Sequence, residues 1–86
     1  MRVLIPNPLR SYTAGAPAVS AHGGTLAELA NDLDRQFPGM RFRMIDEQGS
    51  MRPHIRFFIN RLDTRDINQM LSESDEVMIV CALSGG

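Results

Sequence analysis

One strong helical pattern, over residues 25 to 37, limits what this chain can fold into. Thr25 and Glu28 have the spacing of a capping box, in which each side chain bonds a backbone N–H left open at a helix start. Apolar residues then recur on a single helical stripe: Leu26, Leu29, Ala30, Leu33 and Phe37. The sequence Pro38-Gly39 ends the pattern. The segment therefore predicts one amphipathic helix of about three turns.

The other apolar runs are short and have the composition of β-strands. They cover residues 3–5, 18–21, 55–59, 62–63 and 76–82. In the third run, alternation places Ile55, Phe57 and Ile59 on the buried face. The chain thus predicts two strands, a helix, and then further strands.

The connecting segments are less regular. Residues 6 to 16 contain two prolines and a glycine, which predicts a loop. Residues 40 to 54 predict a short irregular or helical turn followed by a loop. Ile67 to Leu71 predicts a helical turn with Leu71 packed inward. Asn60-Arg61 predicts a turn between two strands; arginine in a left-handed conformation costs about 1 kcal/mol relative to glycine, which leaves another turn type open here.

The last strand is the most apolar, and such a run is typical of a central strand covered on at least one face. If it pairs with the first strand, the helix must cover the face that they share. This arrangement is an α+β β-grasp, or ubiquitin-like, fold: a mixed sheet of four to five strands covered by one main helix. A ferredoxin-like fold would need a second full helix. We expect a β-grasp domain over residues 1–82 and a flexible tail over residues 83–86.

Composition excludes several functional classes. The net charge of −1 argues against nucleic-acid binding, which relies on clustered positive charge. The opening apolar run is too short for a signal peptide or a membrane span. The single cysteine, Cys81, fits a reducing compartment, so a cytoplasmic location is expected. His22, His54 and Cys81 have no recognisable metal-ligand spacing, and no metal site is predicted.

The chain closes on Gly85-Gly86, separated from the last apolar run by Ser84. Glycine lacks a Cβ, so its backbone can pass through a slot too narrow for other residues. A strand followed by such a segment can present its terminal carboxylate to a partner. The alternative is an inert chain end that happens to be glycine.

Four stretches in this order resemble the sulfur-carrier proteins of the MoaD/ThiS family. They are the opening strand, Thr25-Leu26-Ala27-Glu28-Leu29, Phe58-Ile59-Asn60, and Asp75-Glu76-Val77 leading to Gly85-Gly86. The opening Ile5-Pro6-x-x-Leu9-Arg10-x-x-Thr13 is similar in particular to the CysO branch. The chain departs from the family pattern at Ser74, Arg61 and Cys81.

The resemblance implies a carrier that catalyses nothing itself and binds no cofactor. An adenylyltransferase of the MoeB/ThiF type would use ATP to adenylate the Gly86 carboxylate, and a sulfur donor would convert it to a thiocarboxylate. A downstream synthase would then accept the sulfur, for cysteine, molybdopterin, thiamin or another thio-metabolite. Gly86 is thus the reacting group.

Several residues are candidates for partner binding. Leu83, Ser84 and Gly85 would enter the activating enzyme, with Leu83 docking on it. Phe58 points to the face opposite Phe57, where it is either exposed to a partner or covered by residues 40–54. Arg56, Arg61 and Arg65 form either a basic edge around Phe58 or ordinary solvated surface. Cys81 is interpreted as a small apolar core residue.

Two other functions remain open from the sequence. The first is a protein modifier joined to target amines through the same carboxylate. The second is an interaction domain whose tail is inert.

Overall fold

The computed structural model describes residues 1–82, which form five β-strands, two α-helices and one 3-10 helix. The strands are β1 (Arg2–Leu4), β2 (Ala18–Ser20), β3 (Ile55–Ile59), β4 (Leu62–Thr64) and β5 (Glu76–Cys81). The helices are α1 (Leu26–Gln36) and α2 (Met40–Met44), and the 3-10 helix spans Asn7–Thr13.

The strands form one mixed sheet in the order β2-β1-β5-β3-β4. The last strand, β5, lies at its centre. It runs parallel to β1, with Val77 beside Val3, and antiparallel to β3, with Ile79 beside Phe57. The predicted β-grasp fold is therefore confirmed, with five strands and a central final strand.

Helix α1 begins and packs as its sequence pattern predicts. The Thr25 hydroxyl oxygen accepts a hydrogen bond from the Glu28 backbone N–H at 3.2 Å, and the Glu28 carboxylate accepts one from the Gly24 N–H at 2.8 Å. Four residues of the predicted stripe are fully buried and the fifth is half-buried; in chain order they are Leu26, Leu29, Ala30, Leu33 and Phe37. Burial of this stripe against the sheet supplies much of the apolar area removed from water on folding.

The core lies between one face of the sheet and the two helices. Its strand residues alternate along the chain, so Val3, Val77, Ile79, Ile55, Phe57 and Ile59 are buried. Helix α2 adds Met40 and Met44, both with no exposed surface. The predicted helical turn in residues 40–54 is α2, and a bridge between Ile45 and Met51 follows it.

Two connecting segments differ from their predicted form. Residues predicted as loop contain the 3-10 helix, because a proline in its first turn already has suitable φ and because Leu9 and Thr13 can be buried. Around Ile67 the chain makes a turn closed by a bond from the Gln69 N–H to the Asp66 carbonyl at 3.0 Å, rather than a helical turn. Leu71 packs against the core as predicted.

The β3–β4 turn is left-handed at Arg61, so it is not the other turn type that the sequence left open. Asn60 has φ 50° and Arg61 has φ 75°, so both central residues are left-handed. This is the conformation of a two-residue type I′ hairpin, whose twist matches that of the flanking strands. Tertiary contacts of Asn60 hold the turn despite the cost at Arg61.

Candidate functional site at the end of the central strand

The described part of the chain ends where β5 leaves the sheet. Ala82 donates its backbone N–H to the His54 carbonyl oxygen at 2.7 Å, and Cys81 lies beside Ile55 in the ladder. The predicted site residues Leu83, Ser84, Gly85 and Gly86 lie outside the described residues. The structure therefore defines the platform from which the C-terminal segment departs.

Arg65 holds the loop that carries His54. Its guanidinium donates to the Ile55 carbonyl at 2.7 Å and to the Met51 carbonyl at 3.1 Å, with longer bonds to Arg52 and Pro53 at 3.4 Å. One side chain thus binds carbonyl groups along the segment from the Ile45–Met51 bridge to the start of β3. Because His54 in turn accepts the Ala82 N–H, Arg65 indirectly fixes the base of the C-terminal segment.

The three arginines considered as a basic edge have separate roles. Arg65 points at the backbone carbonyls just described. Arg56 pairs with Asp63 at 2.7 Å, and Arg61 occupies the turn at the far end of β3. A continuous basic edge around Phe58 is therefore not formed.

Phe58 is half-buried on the sheet face opposite the core. In the strand register it lies directly across from Met78 on one side and Asp63 on the other. Leu4, Met78 and Val80 share this face and are also half-buried, which makes the outer face of the central strands apolar. A groove of about 510 Å³ runs along β1 and β5 and reaches Cys81.

Cys81 contacts the core, in agreement with its interpretation as an apolar filler. It is half-buried and lines both the groove along β5 and a second cleft.

This second cleft, which we call the exit cleft, has a volume of about 360 Å³ and adjoins the end of β5. Its walls include Leu9, Phe42, Arg43, Arg52, His54 and Cys81. The Arg52 guanidinium lies 4.5 Å from the centre of the Phe42 ring and donates to the Phe42 carbonyl at 2.7 Å. Arg43 lies 5.7 Å from the centre of the Tyr12 ring and donates to the Tyr12 hydroxyl at 2.6 Å. The cleft is therefore basic, with both arginines held by aromatic neighbours.

The exit cleft was not predicted from the sequence. Arg43 lies on α2, and Arg52 lies nine residues later in the chain, beyond a turn. A signal was present in Phe42-Arg43 and Arg52-Pro53-His54, where aromatic and basic residues are close together. Nothing local in these residues shows that they share a wall with Cys81.

Carboxyl groups with lowered pKa lie at the opposite end of the sheet, where β5 begins. The Arg35 guanidinium and the His22 backbone N–H lower the pKa of Asp32. A hydrogen bond from His22 lowers the pKa of Glu73, and the Ser72 N–H together with the Asn60 amide lowers that of Asp75. Asp75 holds the turn before β5, whereas Asp32 and Glu73 hold the connection between β2 and α1 through His22. Among residues 1–82, no cluster of His, Cys, Asp and Glu has the arrangement of a metal site.

The mixed sheet, the covering helix and the central C-terminal strand together define a ubiquitin-like domain of the β-grasp class. In the described residues, no helix has the length and apolar content needed to cross a membrane.

Comparison with known proteins identifies the family. The family model described as the ThiS family matches residues 3–86. Sulfur carrier protein CysO of Mycobacterium tuberculosis (strain ATCC 25618 / H37Rv) is 32% identical over 89 residues, covering 98% of this chain and 96% of that protein. This chain therefore belongs to the ThiS family, and the predicted resemblance to sulfur carriers of the CysO branch is confirmed.

Solved structures agree with this assignment. The crystal structure of Mycobacterium tuberculosis CysO has a TM-score of 0.88 at 30% identity and covers 95% of this chain and 98% of its own. A chain of the Amycolatopsis orientalis BexX/CysO complex has a TM-score of 0.91 at 28% identity, covering 99% of this chain and 98% of its own. The similarity covers nearly the whole chain, and it supports the sulfur-carrier function predicted from the sequence.

Proposed function

We propose that this chain carries sulfur as a thiocarboxylate on Gly86. The observation that carries the proposal is the ThiS family match, which extends to residue 86, on a fold whose central strand leads directly into those last residues. The protein acts as a co-substrate rather than as an enzyme. It binds no cofactor of its own, and ATP is used by the activating partner.

The chemistry proceeds in two steps on the activating enzyme, which we propose to be of the MoeB/ThiF type. The Gly86 carboxylate attacks the α-phosphorus of ATP, pyrophosphate leaves, and an acyl-adenylate forms. A sulfur nucleophile then attacks the acyl carbon and AMP leaves, so that a C–S bond replaces the C–O bond to the phosphate. The adenylate makes the acyl carbon reactive, which a free carboxylate at neutral pH is not.

Partner contacts follow from the position of the reacting group. We propose that Leu83, Ser84 and Gly85 enter a narrow channel of the activating enzyme while Phe58 and the apolar outer face dock on its surface. Aromatic residues on partly exposed apolar faces are frequent in the centres of interfaces. The CysO protein of Amycolatopsis orientalis forms a complex with BexX. By analogy, this chain also docks on a downstream enzyme that accepts its sulfur.

The similarity to CysO favours cysteine, rather than molybdopterin, thiamin or another thio-metabolite, as the product that receives the sulfur. We propose that this synthesis takes place in the cytoplasm. The test of the carrier role is co-expression with a MoeB/ThiF-type enzyme, followed by intact-protein mass spectrometry. We expect one oxygen of the chain to be exchanged for sulfur, and we expect no exchange in a variant that lacks Gly85-Gly86. Adducts of higher mass that resist thiol reagents would instead indicate a modifier of amines. Unchanged function of the truncated variant would indicate an inert tail.

The contribution of Phe58 is tested by Phe58→Arg in the same assay. We expect slower adenylation because a charge is placed in the apolar outer face. Met70→Arg is the control, since Met70 is 73% exposed and lies away from this face. Equal rates for the two variants would exclude Phe58 from the interface.

A further inference from the structure

The exit cleft has features of a binding site that the carrier chemistry alone does not require. Arg43 and His54 are exposed and Arg52 is half-buried. Within residues 1–82, no carboxylate oxygen forms an ion pair with any of these three groups. Arg52 and Arg43 are nevertheless held in place, because each donates its Nε–H to a fixed oxygen and lies over an aromatic ring. Positive groups that are oriented in this way suit planar anions such as carboxylates.

The position of the cleft identifies what can reach it. Ala82 is bonded to His54 at 2.7 Å, so the chain leaves the sheet at the wall of the cleft. Four residues of chain follow Ala82, and they can span at most about 14 Å. An enzyme that reacts with Gly86 therefore comes within about 14 Å of Ala82, close to this wall. ATP would react at Gly86, the last residue of that span, rather than at Ala82, which favours side chains of the enzyme over ATP phosphates as the anion in the cleft.

We propose that the exit cleft binds an acidic segment of the activating enzyme, with enzyme carboxylates pairing with Arg43 and Arg52 beside the entrance for residues 83–86. This inference rests on the proposed function, because it takes the activating enzyme as the partner. Exposed Phe42 supplies an apolar contact next to the two charges, and aromatic residues and arginine are both enriched at interfaces. Charge pairing at the rim speeds association and orients the carrier before its C-terminus enters.

The first test measures adenylation kinetics with the wild-type chain, Arg52→Glu and Arg43→Glu. We expect each charge reversal to raise KM for the carrier about ten-fold, with little change in kcat, because rim charges act on association. Increasing salt raises KM of the wild type and has a weaker effect on the variants, since ions screen the charge pairing. Arg61→Glu is the matched control, with the same charge change at the far end of the sheet. An unchanged KM for Arg52→Glu and Arg43→Glu would overturn the proposal while leaving the carrier function intact.

The second test is independent of adenylation and uses a short Asp/Glu-rich peptide as the probe. Titration into ¹⁵N-labelled protein is expected to shift the side-chain and backbone signals of Arg43, Arg52 and His54. We expect the shifts to disappear in Arg52→Gln, whose thermal unfolding verifies that the domain remains folded. Shifts confined to other surfaces, or stronger shifts at the cleft with inorganic pyrophosphate than with the peptide, would overturn the proposal. If the wild type is not adenylated by any activating enzyme, the carrier function fails, and this titration alone decides whether the cleft binds acidic segments.

Discussion

The side-chain amide of Asn60 donates a hydrogen bond to the Asp75 carboxylate at 2.8 Å. Its carbonyl oxygen accepts the Glu76 backbone N–H at 2.9 Å, and its own backbone N–H donates to the Glu76 carbonyl at 2.9 Å. One residue in the β3–β4 turn therefore fixes the start of β5. Two of the stretches that carried the family resemblance, far apart in the sequence, meet at this contact.

Replacement of Asn60 by alanine is expected to lower the free energy of unfolding by about 1 to 2 kcal/mol. The variant loses the bond to the Glu76 N–H and places a less tolerant residue at a left-handed position. Urea unfolding at neutral pH measures the effect. Asn68→Ala is the control because Asn68 is exposed and its side chain forms no hydrogen bond within residues 1–82. Equal stability of the two variants would contradict a role for the Asn60 contacts.

The same contact predicts a pH dependence. The Ser72 N–H and the Asn60 amide lower the pKa of Asp75 below its ordinary value of 3.8. Because the folded pKa lies below the unfolded one, the stabilisation is present at neutral pH and is lost as the pH falls through the folded pKa. An NMR titration of the Asp75 carboxyl is expected to give a pKa below 3.8 in the wild type and a higher one in Asn60→Ala. No difference between the two proteins would contradict the assigned cause.

Arg61→Gly is expected to stabilise the domain by about 0.5 to 1 kcal/mol. Glycine removes the left-handed penalty at φ 75°, and the greater freedom of the unfolded chain offsets part of the gain. Thermal unfolding compares it with Arg61→Ala, which removes the side chain but keeps the Cβ. Only the glycine variant should be stabilised; equal gains would mean that the side chain, rather than the backbone, is the source of strain.

Gly23→Ala and Gly24→Ala form a matched pair of variants that tests how closely the β2–α1 connection packs against α1. A Cβ on Gly23 would lie 2.8 Å from the Leu29 Cα, whereas one on Gly24 would meet only the flexible Glu28 carboxylate at 3.1 Å. Gly23→Ala is expected to cost about 2 to 3 kcal/mol because backbone must move. Gly24→Ala should cost much less. Chemical denaturation of both variants tests this order, and the reverse order would contradict the packing described here.

Arg65→Lys tests whether the Arg65 side chain stabilises the C-terminal end of β5 through the loop that carries His54. Lysine cannot reproduce the forked donation to several carbonyls, so we expect a loss of about 1 to 2 kcal/mol in unfolding free energy. The amide of Ala82 should also exchange faster with solvent, since its acceptor belongs to the loosened loop. Arg56→Lys is the control, as its exposed pair with Asp63 contributes little. Unaltered hydrogen exchange at the Ala82 amide would show that Arg65 does not stabilise the end of β5.

The sequence was sufficient for elements whose signal is local. The capping box and stripe of α1 and the alternation in β3 were visible because one face of each is buried. The contacts of Arg65 were not visible, since a side chain that bonds distant carbonyls leaves no periodic pattern. The left-handed Arg61 was unexpected for a related reason: the Asn60 contacts to Asp75 and Glu76 outweigh a local preference.

The candidate site was predictable only in part. Gly86 and the residues ahead of it are predicted from the chain's glycine-rich end and from the family resemblance; they lie outside the described residues, so they stay a prediction. Phe58 was placed on the correct face by strand alternation. The exit cleft could not be predicted without the fold, because Arg43 on α2 and Arg52 in the segment before β3 meet only in the folded domain.

The central position of β5 also has a mechanical meaning. A force applied to the C-terminal end of β5 acts along a strand that is hydrogen-bonded on both sides, to β1 and to β3. Such a load is shared in shear by both ladders instead of unzipping an edge one bond at a time. A domain whose final strand is central therefore resists unfolding under such a force better than one whose final strand lies at the edge of the sheet.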